Sequence, residues 1–134
     1  FNPAIPAAII EELMSWDGCD AVIHMGIFGR IPFFRYMVDS ALKADPNSDR
    51  DVLAAVPAEV EKFEEDFTGH LVRLMDKYKK PVIGVPLIAD ATAKTVVEIP
   101  GQKYKSISFT TPERAVRALV EMSRYRRWLD RQGD

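Results

Sequence analysis

A chain of 134 residues fits one domain at about 150 residues per domain, and at that size about two-thirds of the unfolded surface can be buried. With 47% hydrophobic and 28% charged residues the composition is that of a globular domain, which excludes a disordered tail, a collagen-like repeat and a coiled-coil rod. Eighteen Lys+Arg against 20 Asp+Glu leave a formal charge of −2, too weak a field to grip nucleic acid or an anionic membrane, so any anion site must be local.

Cys19 is the single cysteine, which excludes an internal disulfide and a cysteine-rich zinc site and fits a reducing, cytoplasmic setting. No apolar run approaches the roughly 18 residues of a membrane helix, and no signal-peptide pattern opens the chain. The first residue is Phe1 rather than methionine, so the chain is expected to be a piece of a larger protein.

From Pro6 to Trp16 the residues Ile9, Ile10, Leu13 and Met14 recur at helical spacing, with Glu11 and Glu12 on the other side, and predict a short amphipathic helix. After the Asp17-Gly18 turn, Asp20 to Gly26 is apolar without alternation, the pattern of a central parallel strand covered on both faces. Ile27 to Ile31 is a loop. Pro32 then opens a helix whose expected stripe is Phe33, Phe34, Met37, Val38, Ala41 and Leu42. A polar loop over Ala44 to Arg50 leads to a long helix with the stripe Val60, Phe63, Phe67, Leu71, Leu74, Met75 and Tyr78, closed by lysines before Pro81.

Pro81 to Leu87 reads as a second buried strand. Between Ala89 and Lys103 two patterns compete: Thr95 to Ile99 favours a strand, while Ala91 to Lys94 can open a helix. Lys105 to Phe109 is a short strand, and Thr111 caps a final helix with Pro112 in its first turn. Its expected buried side is Ala115, Val116, Leu119, Met122, Trp128 and Leu129. Strands alternating with helices predict an α/β fold, a mainly parallel sheet between two helical layers.

In such a sheet ligands bind beyond the carboxyl ends of the strands, which brings forward the loops Gly26 to Pro32, Pro86 to Asp90 and Phe109 to Thr111. The first joins a strand directly to a helix N-terminus. Its free amides and the helix dipole can hold a phosphate, with Gly26 and Gly29 allowing close approach, Ile31 opening the helix and Arg30 adding a charged fork. The competing reading is that two glycines make a tight turn.

His24 lies near the end of the first strand, either as an acid/base group or as a hydrogen-bonded structural residue. His70 has Asp66 one turn before it but no third ligand, so no metal is expected. Glu64, Glu65 and Asp66 fan around a helix and read as a solvated face. Six arginines on the last helix, from Arg114 to Arg131, interleave with Tyr125 and Trp128; an interdomain surface fits them better than nucleic acid. Cys19 lacks a local base and reads as filler.

Asn2-Pro3, the strand Asp20 to Ile23, Lys80-Pro81-Val82-Ile83, and above all Thr111-Pro112-Glu113-Arg114-Ala115-Val116-Arg117-Ala118-Leu119 with Tyr125-Arg126-Arg127-Trp128 resemble the NDP-forming acyl-CoA synthetases. The likeness is to one flavodoxin-like domain, the counterpart of the carboxyl-terminal domain of the succinyl-CoA synthetase beta subunit. It implies a three-layer flavodoxin-like fold. It also implies neighbouring CoA-binding, histidine-bearing and ATP-grasp domains, with CoA, ATP or ADP and Mg used by the complete enzyme and none held by this domain alone.

In that family the domain turns a helix N-terminus toward a phosphohistidine carried by a neighbouring domain; the matching positions here are Gly26, Gly29, Arg30 and Ile31. No catalytic residue is carried over, since the family nucleophile lies outside the matched domain. The loop has fewer adjacent glycines than the succinate enzymes and contains Phe28 and Ile31. Two functions follow as expectations: the phosphate-facing part of an acyl-CoA synthetase, inactive alone, or a non-catalytic flavodoxin-like module for subunit association or regulation, in which a homo-oligomer is possible. A receiver domain is disfavoured, because Asp20 begins the first strand and no acid ends it.

Overall fold

The structure, a computed structural model, describes residues 4–89 and 94–133. Phe1 and Asn2-Pro3 of the motif above lie outside them, as do the first three residues of the helix opening expected over Ala91 to Lys94. The elements run α1 (Ala4–Ser15), β1 (Val22–Met25), α2 (Ile31–Ala44), α3 (Arg50–Tyr78), β2 (Val82–Val85), β3 (Val96–Glu98), β4 (Lys105–Ser108) and α4 (Pro112–Gln132). The strand expected over Thr95 to Ile99 is present as β3.

The fold is α/β, with one four-stranded sheet in the order β1-β2-β4-β3. β1, β2 and β4 are parallel, in register Val22↔Val82 and Ile83↔Ile107, whereas β3 runs antiparallel to β4 through Val97↔Ser106. Helices cover both faces, since a parallel strand alternates its side chains between two layers that must each be dry. On one face α1 and α3 close over Val22 and Val82 through Ile10, Met14, Phe67, Leu71 and Val72. On the other, Ala115 of α4 seals Ile83 and Val85, with Ile23 and Leu119 beside it.

The caps follow local chemistry. Asp49 accepts hydrogen bonds from the amides of Asp51 and Val52 at the start of α3, and Thr111 accepts from Arg114 at the start of α4. α3 stops where Lys79 adopts φ 57°, its amide donating back to the Met75 carbonyl.

Three expectations change. β1 is an edge strand of the described sheet rather than a central one: the chain between β1 and β2 is spent on two helices and adds no strand outside β1. Its continuous apolar run reflects cover on both faces, which an edge strand can also have. The α2 stripe is not buried: α2 packs against α3, Phe33 and Met37 stay exposed, and no residue of α2 is fully buried. On α4 the forecast side is buried only at Ala115, while Val116, Met122, Trp128 and Leu129 are exposed. A 21-residue helix is about 31 Å long and a four-residue strand about 13 Å, so the second half of α4 runs past the sheet.

Candidate functional site

The loop from Gly26 to Ile31 stands where the sequence places it, at the carboxyl end of β1 and leading into α2. Gly26 and Gly29 have φ of 71° and 73°, a conformation natural to glycine. Gly26 N–H still extends the ladder, donating to the Val85 carbonyl at 2.9 Å.

The close approach that Gly29 permits is to the protein's own chain. A Cβ at Gly29 would lie 2.7 Å from Pro86 Cβ and 3.0 Å from the Ile88 carbonyl oxygen. Next to it, Leu87 N–H donates to the Phe28 carbonyl at 2.7 Å. The loops after β1 and β2 are therefore locked together, and the missing glycine side chain is spent on that lock.

The anion position at the helix start is likewise filled from within. Arg30 is the residue preceding α2, and its amide donates to Glu64 Oε1 at 2.8 Å. Pro32 in the first turn has no N–H to offer. A carboxylate at a helix N-terminus satisfies an orphan donor and meets the positive end of the dipole, as a phosphate oxygen would. The Arg30 side chain turns back as well, Nε donating to the Gly26 carbonyl at 2.7 Å.

Glu64 thus departs from the solvated face expected of it: part-buried, it links the middle of α3 to the start of α2. Its partner is 34 positions away in the chain, and no local pattern announces such a contact. Beside it a cleft of about 700 Å³ opens between α2, α3 and the ends of the strands. Glu61, Glu64 and Glu65 line it together with Arg35 and Lys94, and Phe28 forms part of an apolar wall. Three carboxylates against two cations make a poor host for a phosphoryl group.

His24 is buried beneath that wall, 5% exposed, with Phe28 edge-on at 4.6 Å and Phe67 edge-on at 5.8 Å between ring centroids. A Cβ at Gly84 would sit 3.0 Å from its Nε2 and 3.0 Å from Phe28 Cδ2, so Gly84 makes room for both rings. Neither ring nitrogen has a partner, which corrects the hydrogen-bonded state expected of a structural histidine here. Burial holds its pKa down at about 4, so the ring is neutral near pH 7.

The remaining candidates stay apart. Among the described residues no group of His, Cys, Asp and Glu can hold a metal ion, and His70 Nε2 is buried without a partner. Cys19 packs at the rim of the core, its Sγ donating to the Ala21 carbonyl at 3.3 Å. On α4, Tyr125 stacks on Trp128 at 5.8 Å, while Arg124 pairs with Glu121 and Arg126 with Asp130. Among the described residues no helix is long and apolar enough to cross a membrane. No family model, no curated protein and no solved structure matches the chain, so the likeness to the acyl-CoA synthetases rests on the sequence motifs alone.

Proposed function

We propose that the chain is a flavodoxin-like, non-catalytic module for subunit association, with the loop between β1 and α2 closed to outside anions. The observation that carries this reading is the Glu64 carboxylate on the Arg30 amide at 2.8 Å. A phosphate would have to displace a tethered negative group and enter beside Glu61 and Glu65. Titrating inorganic phosphate to millimolar levels while following backbone amide resonances tests it. The Arg30 and Ile31 signals are expected to stay in place, and saturable shifts there in the unaltered protein would overturn the reading.

A second reading keeps the family role, in which the α2 N-terminus faces the phosphohistidine of a neighbouring domain in an NDP-forming acyl-CoA synthetase. It is favoured by Gly26 and Gly29, both at positive φ directly between β1 and α2. It requires Glu64 to leave the Arg30 amide, so under it Glu64→Gln would strengthen the phosphate response.

A further inference from the structure

Two helices of the fold are longer than the sheet they cover, and they overrun it at opposite ends. α3 ends at Tyr78, just before β2 begins, and its Glu61, Glu64 and Glu65 line the cleft with Phe28 and Pro86, which follow β1 and β2. Its first half therefore stands beyond the carboxyl ends of the strands. α4 starts after β4 and packs Ala115 and Leu119 on Ile83 and Val85. From Ala115 to Arg131 the helix runs about 24 Å the other way, so its last turns stand beyond the amino ends.

The two overhangs carry opposite charge. From Asp49 to Asp66 seven acidic residues stand against Arg50 and Lys62, a net −5; from Met122 to Gln132 four arginines stand against Asp130, a net +3. Arg124 pairs with Glu121 and Arg126 with Asp130, whereas Arg127 and Arg131 form no ion pair among the described residues. In the cleft Glu64 is held by the Arg30 amide, and among the described residues Glu61 and Glu65 form no ion pair. Arg35 and Lys94 line the cleft too and lower its acidic excess without cancelling it.

Shape follows charge. Residues three and four apart share a helix face, so Arg124 and Arg131 flank Trp128, with Arg127 beside them. Trp128 is 47% exposed and stacks on Tyr125. The result is a cationic knob built around an indole. The cleft is its complement, with carboxylates on the α3 side and an apolar wall that includes Phe28, Ile31 and Val97. At about 700 Å³ it has the volume of a site that encloses an aromatic ring and the stems beside it. Guanidinium forks suit carboxylates, and a cleft that repels phosphate is a host for cations.

We infer that the end of α4 docks in the cleft of a second copy of the chain. Within one copy the knob and the cleft lie at opposite ends of the sheet and cannot meet, so their charges are matched only between molecules. Every copy then offers one knob and one cleft, a heterologous contact that closes as a ring or extends as a row.

This inference rests on the association reading and names the partner and both surfaces. Sedimentation at low salt should show association as the concentration rises from micromolar to near-millimolar, weakened at least about tenfold in ~1 M sodium chloride. Glu61→Lys with Glu65→Lys, and separately Arg127→Glu with Arg131→Glu, should each give a monomer of unchanged circular dichroism, since all four side chains are exposed. Mixed in equal amounts the two variants should associate again, because the knob of each then fits the cleft of the other. A monomer at every concentration, a mixture that stays monomeric, or an oligomer indifferent to both pairs of substitutions would each overturn the inference. So would a chain that stays monomeric yet binds phosphatidylserine vesicles through Arg127 and Arg131, which would give α4 a different occupant. An indifferent oligomer leaves association itself standing, and phosphate shifts at Arg30 and Ile31 would overturn the closed loop alone, so the two readings fail separately.

Discussion

His24 couples the core to acid. Its pKa in the folded chain, about 4, lies below the ordinary 6.5, so on acidification the unfolded chain takes up a proton that the native chain refuses. The stability tied to the neutral ring is fully present above pH 6.5 and is lost as the pH falls toward 4, a loss of about 3 kcal/mol. Denaturant titrations at about pH 7 and pH 4.5 should show about 2 kcal/mol of this drop, and His24→Leu should remove most of it. Glu11, Asp76, Glu98 and Glu113 are held below their usual range, the first three chiefly by lysine partners, and they act only at lower pH.

Two glycines at the same kind of φ carry different burdens. At Gly101, φ 76°, nothing lies within 4 Å of a new Cβ, so Gly101→Ala costs only the left-handed conformation, about 1 kcal/mol. Gly29→Ala adds a Cβ against Pro86 and the Ile88 carbonyl, backbone and ring atoms that cannot swing away. An expected cost of about 3 kcal/mol should appear as a clear drop in melting temperature for Gly29→Ala and a slight one for Gly101→Ala.

At the scale of elements, α3 has a firm half and a loose half. All of its fully buried residues fall between Phe67 and Met75, whereas Arg50 to Val60 has none and contains Pro57, which removes one backbone donor. Hydrogen exchange should therefore be faster by a factor of ten or more at amides before Val60 than between Phe67 and Tyr78, since local opening there uncovers little apolar surface. Equal protection along the whole helix would contradict this.

Much of this was legible in the chain. Thr111-Pro112-Glu113 marks the α4 start because cap chemistry is local, and the lysines before Pro81 mark the α3 end for the same reason. The stripes of α2 and α4 predicted which face is apolar but not whether a neighbour covers it. Ile9 and Leu13 belong to the apolar pattern of α1 yet point outward, because the sheet is too narrow to meet both apolar flanks. The Glu64 to Arg30 contact and the packing of Gly29 on Pro86 depend on which loops the topology brings together, and no short-range periodicity encodes that.

Over the whole molecule, stability comes from two dry layers rather than from charge. The side chains of the ion pairs are 38% to 76% exposed, where solvent screens them and each contributes little. Raising ionic strength from about 0.1 to about 1 M shortens the screening length from ~10 to ~3 Å, and the unfolding free energy of the monomer should change by less than about 1 kcal/mol. A larger loss of stability in sodium chloride would show that charge contributes more than the geometry allows.

The chain passes from β1 to β2 through a detour of two helices whose outer half leaves no imprint on the strands. Tyr36, Met37 and Val52 are 72%, 48% and 63% exposed on that detour, so exchanging them for polar residues removes little that was ever dry. The register of Val22 against Val82 is indifferent to them. Solubility and surface character can drift there, generation after generation, while the pattern of the interior stands still.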